Sequence, residues 1–575
     1  MSLVMQKQTL SCFFLQMLEQ YGSNPAVAFV GEEPITYQEL GKRVLALRDF
    51  LKERGIRKGD KVILLGENSI NWIIAFFGVT TIGAVAVPVL SEFPEADINH
   101  IILHSGAIAA FVDRKLFSSM DLKPLEKIGE VYSLDEFQLL KKSEPRKETF
   151  WDKLQAIPGK IEEALKGGKK DIIQRVKDEI DEDDLAEILY TSGTTGRSKG
   201  VMLTHRNITT NANTGPDVIG GVDSSAVVLN LLPLAHAYGS TTTMLGTFSR
   251  GALLYLLKKK PSPKILMQAV AQVRPTLIAG VPLVFEKIYH KKVLPEIKNR
   301  RLLRWIASFG AGRRFLYRKV GEKLLESFGG RLYSFMIGGA SLNREVEIFL
   351  REGKVPFSVG YGLSECAPLV AGAYYQDCRL GSVGRAIPGV QIRIAKDDPA
   401  DEVGEIQVKG PNVMKGYYKN PEDTKQVFTR DGWLRTGDLG YLDEEGFLFI
   451  KGRSKNVYVG PSGENIYPEN IEDKLRECEY VEEALVYVDE GKIVARVYLD
   501  YEYIQEALGS PRHVIQSNEI DRILEKIRQE TNQKLPKFSQ IQKIIEQTEP
   551  FVKTPTNKIK RPLYVPNYGK RSEVK

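Results

Sequence analysis

The sequence predicts an α/β protein. A large N-terminal domain of parallel-type β-sheets packed by helices carries a small β unit at its end, and a smaller mobile α+β C-terminal domain follows. Three observations lead there. Residues 1–180 alternate helix and strand signals in strand–helix–strand order, which favours a parallel sheet with helices on both faces. Buried strand-like runs recur at 227–232, 276–281 and 332–337, with helical stretches between them. From Gly381 the texture changes to short alternating segments separated by Gly, Pro and Asp.

Taken in order, Leu10, Phe13, Phe14, Met17, Leu18 and Tyr21 repeat at three- and four-residue spacing, so they form one buried face of an opening helix rather than a signal peptide. Leu40, Val44, Leu47 and Leu51 mark a second helix, which Gly55 ends. Residues 61–65 read as a strand. The uncharged run 70–90 is long enough for a membrane span. It contains Asn71, Gly78, Thr80, Thr81, Gly83 and Pro88, however, and reads as a buried helix ending near Gly83 followed by a strand over 84–89. Strands at 390–395, 405–409 and 447–451 make the β unit. A hairpin of 483–488 and 492–498 turns at Glu490-Gly491, and a helix covers 517–531. The expected domains are 1–452, with the β subdomain at 381–452, and 453–575, with the boundary at Gly452–Lys455.

Composition narrows the function. Apolar residues are 42% and charged residues 27%, an ordinary globular balance. A net charge of +7 over 575 residues does not by itself imply nucleic-acid binding. Cys12, Cys366, Cys378 and Cys478 are scattered and the six histidines join no cluster with them, so neither a disulfide framework nor a zinc site is expected, and a reducing, cytoplasmic setting is. Charge is uneven. Residues 287–331 hold thirteen Lys/Arg and three Asp/Glu, a net +10 that leaves the rest of the chain acidic by three. Leu302, Leu303, Trp305, Ile306 and Phe309 lie among these cations. The segment is either a solvated helical face or a contact for an anionic membrane, with RNA a third option.

Chemistry concentrates in Tyr190-Thr-Ser-Gly-Thr-Thr-Gly-Arg-Ser-Lys-Gly200. Glycines let backbone N–H groups crowd an anion, hydroxyls add donors, and Lys199 adds a full charge, which suits a polyphosphate. Neither the Walker A spacing nor G-x-G-x-x-G fits. Alone, such a composition is more often a flexible surface turn than a phosphate site.

More motifs follow in order: Leu232-Pro-Leu-Ala-His-Ala-Tyr-Gly239, Gly338-Gly-Ala340, Gly360-Tyr-Gly-Leu-Ser-Glu365, Arg435-Thr-Gly-Asp438, Gly452-Arg-Ser-Lys455, Gly463-Glu-Asn-Ile-Tyr-Pro-Glu469 and Lys553-Thr-Pro-Thr-Asn-Lys558. With the 190–200 loop they resemble, over nearly the whole chain, the adenylate-forming superfamily of acyl-CoA synthetases, firefly-type luciferases and peptide-synthetase adenylation domains. The resemblance implies ATP, Mg²⁺ and coenzyme A as cofactors. Thr191, Ser192, Gly193, Thr194, Thr195 and Lys199 would hold the phosphates. Gly338, Gly339, Ala340, Gly360, Tyr361 and Gly362 would border the adenine. Ser364 would touch the α-phosphate, Glu365 would hold Mg²⁺, Asp438 would accept from both ribose hydroxyls and Arg453 would reach the ribose–phosphate region.

Lys558 would bridge carboxylate and α-phosphate during adenylation. The alternative for it is a solvated lysine in a basic tail with Lys560 and Arg561. The family usually has Gly before this lysine, where Asn557 stands here. His236 either lies between acyl pocket and thiol route or is a satisfied core histidine. Lys455 matches the hinge about which the C-terminal domain would turn between half-reactions. Leu234-Ala-His236 offers no acid to pair an α-ammonium, which disfavours an amino-acid substrate. The length of 287–331 and the loop Asn456-Val-Tyr-Val-Gly-Pro-Ser-Gly463 resemble long-chain acyl-CoA synthetases. The expected activity is conversion of a fatty acid to acyl-adenylate and then acyl-CoA. Alternatives are a fatty acyl-AMP ligase, an acyl–acyl-carrier-protein synthetase, or a non-enzymatic nucleotide or lipid sensor or membrane-docking protein on the same fold. Expected partners are fatty acid, ATP and CoA and no nucleic acid. The inner face of an anionic membrane and a second copy of the chain are candidates.

Overall fold

Runs of Val, Ile, Leu and Ala bounded by turn residues hide both faces only in a covered, mostly parallel sheet. Two such sheets hold most of them. The computed structural model describes residues 7–140, 180–191, 198–220, 222–396, 398–460, 464–508, 517–554, 558–566 and 568. The first sheet has seven strands in the order Gly416–Tyr417, Lys199–Thr204, Leu185–Thr191, Val85–Val89, Lys61–Leu65, Ala109–Val112, Glu130–Ser133. Lys61–Leu65 runs parallel to both neighbours. Leu185–Thr191 is parallel to Val85–Val89 on one side and antiparallel to Lys199–Thr204 on the other.

The second sheet has nine strands: Arg385–Ala386, Leu369–Tyr374, Phe357–Gly362, Ser334–Ile337, Leu277–Gly280, Val227–Asn230, Leu253–Leu256, Pro25–Phe29, Ile35–Thr36. Phe357–Gly362 through Pro25–Phe29 are parallel neighbours. The expected strands at 227–232, 276–281 and 332–337 are therefore adjacent.

The opening helix, Leu10–Tyr21, begins at Thr9, whose hydroxyl accepts from the Cys12 N–H. Phe14 packs on Phe77 with ring centroids 5.1 Å apart. The uncharged run resolves into helix Ile70–Thr80, buried from Trp72 onward, and strand Val85–Val89. Among the described residues no helix is long and apolar enough to cross a membrane.

Gln391–Ala395, Gly404–Lys409, Leu434–Leu442 and Leu448–Arg453 form a four-stranded sheet in that order. Val481–Asp489 and Lys492–Leu499 make the expected hairpin. Glu490 and Gly491 both have positive φ (49° and 79°), the backbone a tight two-residue turn requires. Lys543–Gln547 adds a parallel third strand, and helix Ser517–Gln533 covers the position expected at 517–531. By contacts the described residues form two units, one from 1–191, 197–391 and 408–434 and the other from 392–407 and 435–575.

One polar residue sits inside the first sheet against the usual rule. Glu187 is fully buried, and neither carboxylate oxygen has a hydrogen-bond partner among the described residues. Burial pushes its pKa up to about 8. The folded state thus keeps a proton that the unfolded chain releases near pH 4.5. Its contribution to stability is present below that pH and is lost as the pH rises toward 8. Glu187→Gln, which cannot ionise, is expected to flatten this loss. Urea unfolding should show the variant gaining over wild type on the order of 4 kcal/mol between pH 5 and pH 8.

Candidate functional site

The sheet reversal at Leu185–Thr191 positions the candidate residues of the first unit. Tyr190 pairs with Gly200 and Thr191 with Lys199 across the antiparallel ladder, so the loop between them starts and ends at one place. A Cβ on Gly200 would lie 2.8 Å from Ile188 Cγ2, which is why glycine stands there. Ser192, Gly193, Thr194 and Thr195 lie outside the described residues.

Lys199 is held by two groups. Its Nζ is 2.7 Å from Asp423 Oδ2 and 5.1 Å from the centre of the Tyr417 ring. The Tyr417 hydroxyl donates to Glu365 Oε1 at 2.8 Å. One tyrosine thus links the lysine and the carboxylate expected to serve the phosphates and the metal. Its strand is tied to both: the Met414 N–H donates to the Glu365 carbonyl at 2.8 Å, and the Tyr418 N–H to the Gly200 carbonyl at 2.8 Å.

Ser364 and Glu365 lie in a short turn after Phe357–Gly362. Asn211 steadies it, donating to the Cys366 carbonyl and accepting from the Leu369 N–H at 3.0 and 2.8 Å. Gly338 follows strand Ser334–Ile337, and Gly360, Tyr361 and Gly362 are the last residues of its parallel neighbour Phe357–Gly362, at the carboxyl ends where α/β sheets bind ligands. A Cβ on Gly338 would lie 3.0 Å from Tyr238 Cε1, and Gly339 has φ +84°. Ala340 is exposed, whereas Tyr361 is 8% exposed.

His236 is half-buried on the loop before the helical turn Tyr238–Leu245. Asn68 pins that loop through the Leu232 carbonyl and the Leu234 N–H, each at 2.7 Å. His236 Nδ1 accepts from the Tyr238 N–H at 3.2 Å, which in the neutral ring leaves the proton on Nε2.

In the second unit, Asp438 and Arg453 face each other across the ladder and Arg453 Nε is 2.8 Å from Asp438 Oδ1. The Asp438 N–H donates to Thr436 Oγ1 at 3.0 Å. Lys455 is exposed in the turn Ser454–Asn456, where Asn456 donates to Glu469 at 2.5 Å and accepts from the Tyr568 hydroxyl at 3.2 Å.

Lys558 is exposed, next to the Lys553–Ile559 bridge. Its carbonyl accepts from the Thr554 N–H at 2.7 Å, and its N–H donates to Thr554 Oγ1 at 3.2 Å. The chain after it is no solvated basic tail. Arg561 is mostly buried, places a guanidinium nitrogen 2.6 Å from both oxygens of Glu472 and donates to the Val486 carbonyl at 3.0 Å. The neighbouring Glu472 and Glu469 charges raise the Arg561 pKa further, against desolvation.

Sequence reasoning missed Tyr417, Asp423, Asn211 and Asn68. Each acts by contact with a residue far along the chain, and no local spacing marks it. Glu365 contributes a single half-buried carboxylate, and among the described residues no group of three or more His, Cys, Asp or Glu could hold an ion. That donor set fits Mg²⁺, which takes few protein carboxylates and completes its shell with phosphate oxygens and water.

Lysine, hydroxyl and carboxylate groups beside glycine-opened strand ends define a nucleotide-phosphate class of α/β protein. A family model described as AMP-binding enzyme matches residues 14–418, and the chain belongs to that family. A long-chain-fatty-acid–CoA ligase of Bacillus subtilis is 30% identical over 84% of this chain and 83% of its own length. The long-chain-fatty-acid–CoA ligase FadD15 of Mycobacterium bovis is 30% identical over 79% of this chain and 75% of its own. In fold, the chain is similar to ATP-bound MatB from Rhodopseudomonas palustris, with a TM-score of 0.72 at 24% identity over 96% of this chain and 98% of that one.

Two variants test the geometry. Tyr417→Phe keeps the ring beside Lys199 but removes a hydrogen bond to a carboxylate. It is expected to weaken Mg²⁺-dependent ATP binding about tenfold by calorimetry, with Tyr417→Ala weaker still. Arg561→Met leaves Glu472 buried and unpaired, and should destabilise the second unit by about 3–5 kcal/mol. Hydrogen exchange in Val481–Asp489 and Lys492–Leu499 reads that loss.

Proposed function

We infer that the chain activates a fatty acid with ATP in two steps. The acid's carboxylate oxygen attacks the α-phosphorus, forming acyl-adenylate and expelling pyrophosphate. The thiol of coenzyme A then attacks the acyl carbonyl, forming the thioester and releasing AMP. The reading is carried by the 30% identity, over more than three-quarters of the chain, with proteins named long-chain-fatty-acid–CoA ligases.

The residues have matching chemistry. Lys199 and the hydroxyls of 191–195 neutralise and orient the phosphates. Glu365 would hold Mg²⁺, whose charge offsets that of the phosphate oxygens, and Tyr417 fixes the direction of that carboxylate. Gly338–Ala340 and Gly360–Gly362 leave room for the adenine, Ser364 donates to the α-phosphate, and Asp438, oriented by Arg453, accepts from the ribose hydroxyls. Lys558 offsets the repulsion between carboxylate and phosphate as they meet. His236 lies on the thiol route.

Rotation at Lys455 exchanges Lys558 for the face that receives the thiol, with the mobile domain beginning at Arg453. The long basic segment 287–331 and the absence of an acid in Leu234-Ala-His236 support a long apolar acid, each buried methylene adding about 0.8 kcal/mol. The same segment supports a cytoplasmic protein peripheral to the inner face of a membrane.

Pyrophosphate release from acids of graded length should rise toward long chains, and mass spectrometry with and without CoA should show acyl-CoA and acyl-AMP respectively. Acyl-AMP in both cases would mean the reaction stops at the adenylate. Lys558→Ala should slow adenylation about 10²–10³-fold while sparing thioester formation from supplied acyl-adenylate. Lys455→Pro should do the reverse, and equal loss in both half-reactions would remove these roles.

A further inference from the structure

Leu302, Trp305, Phe309 and Phe315 are 67%, 63%, 53% and 60% exposed, although each is a large apolar side chain. They lie on two consecutive helices, Arg301–Ser308 and Gly310–Ser327, and at the joint between them. The first helix buries none of its residues. Its Ala307 packs toward the apolar core formed by Phe285, Tyr289 and Tyr317, among others. At 100° per residue Leu302 and Trp305 point well away from that side. The Trp305 and Phe309 rings meet edge to face at 5.2 Å, giving one continuous apolar ridge.

Charge surrounds the ridge. Between Glu296 and Glu322 the chain carries eight Lys/Arg and no Asp or Glu. Arg300, Arg301, Arg304 and Arg314 are exposed and make no ion pair among the described residues, whereas Arg313 just behind them is paired with Glu352 at 2.7 Å. Unpaired arginines beside exposed Trp, Phe and Leu are what an interfacial helix needs: apolar side chains reach below the headgroups while cations stay among them.

We propose that this ridge docks the protein on an anionic lipid bilayer. A second copy of the chain is the poorer occupant, because a two-fold contact would press these unpaired arginines against their own copies. RNA would satisfy the arginines but give Leu302 and Phe315 no role. A ridge on so short a helix inserts only to headgroup depth, which makes the contact peripheral and reversible. Its use, taking a water-insoluble acid directly from the bilayer, rests on the fatty-acid reading; the docking does not.

Flotation of the full chain with vesicles of phosphatidylcholine, alone or mixed equally with phosphatidylglycerol, tests this. Binding is expected to be about tenfold or more tighter to the anionic vesicles and to fall as salt is raised. Trp305 emission should shift to the blue on binding, a shift that Trp305→Phe removes. Arg301→Glu with Arg304→Glu, and separately Leu302→Ser with Trp305→Ser, should each weaken binding about tenfold or more with an unchanged thermal melt. Equal binding to both vesicles, variants that bind like wild type, a dimer that Leu302→Ser disperses in place of vesicle binding, or displacement of the protein from vesicles by RNA would each overturn the proposal. Pyrophosphate exchange with a long-chain acid supplied on albumin, without vesicles, should be unchanged in these variants. Its absence in the wild type would count against the fatty-acid reading and leave the docking result standing.

Discussion

A loop whose two ends meet must begin and end at almost the same point, and closing it costs conformational entropy unless something else holds its mouth. Here the Thr191–Lys199 rung of an antiparallel ladder does so, where the parallel run of the seven-stranded sheet gives way to two antiparallel pairings. Sheet hydrogen bonds made for stability thus set the loop's ends and place Lys199 on its rim. In the first unit the neighbouring groups are arranged around the lysine: Asp423 beside it, the Tyr417 ring within reach of its charge, and Glu365 at the far end of the same tyrosine. Gly200, next on the ladder, has to be glycine because Ile188 and Tyr190 already fill the space of a side chain.

The second unit solves a different problem, holding a short chain end at a defined place with few apolar residues. Phe551 and Val565 supply a small cluster with Leu485, Tyr487 and Val494. The Arg561–Glu472 pair supplies direction. A buried pair of this kind adds little net stability over an apolar contact, but breaking it is costly, so it selects one register of the tail against others. Lys558 lies three residues before Arg561, and the Lys553–Ile559 bridge ends one residue before Lys560. The position of an exposed lysine is therefore set by a buried arginine.

Much of this was legible in the sequence. Unbroken apolar runs gave the parallel strands, and Glu490-Gly491 gave the hairpin, because both are local signals with few alternatives. The run 70–90 was readable as helix plus strand because Gly83 and Pro88 interrupt it. Candidate site residues could be named only where glycine and hydroxyl motifs mark backbone needs. Tyr417 was not, since it is a tyrosine among ordinary strand residues and meets Lys199 only after 200-odd residues have folded. Arg561 was misleading for the opposite reason: Lys560 and Arg561 together look like a solvated tail, and only the fold reveals that one of them turns inward onto Glu472. Glu187 sits in a strand pattern that gives no hint of full burial.

The two ion pairs also differ in a way that matches their tasks. Lys199 and Asp423 each keep about 30% of their side-chain surface exposed, and a pair so wetted contributes no more than about 1 kcal/mol. A group of higher charge than one aspartate can take the lysine from such a pair at little cost. Arg561 and Glu472 are only 13% and 12% exposed, so exchanging either partner for water would leave a charge stranded. The first pair is wet enough to part at little cost, and the second is built to stay.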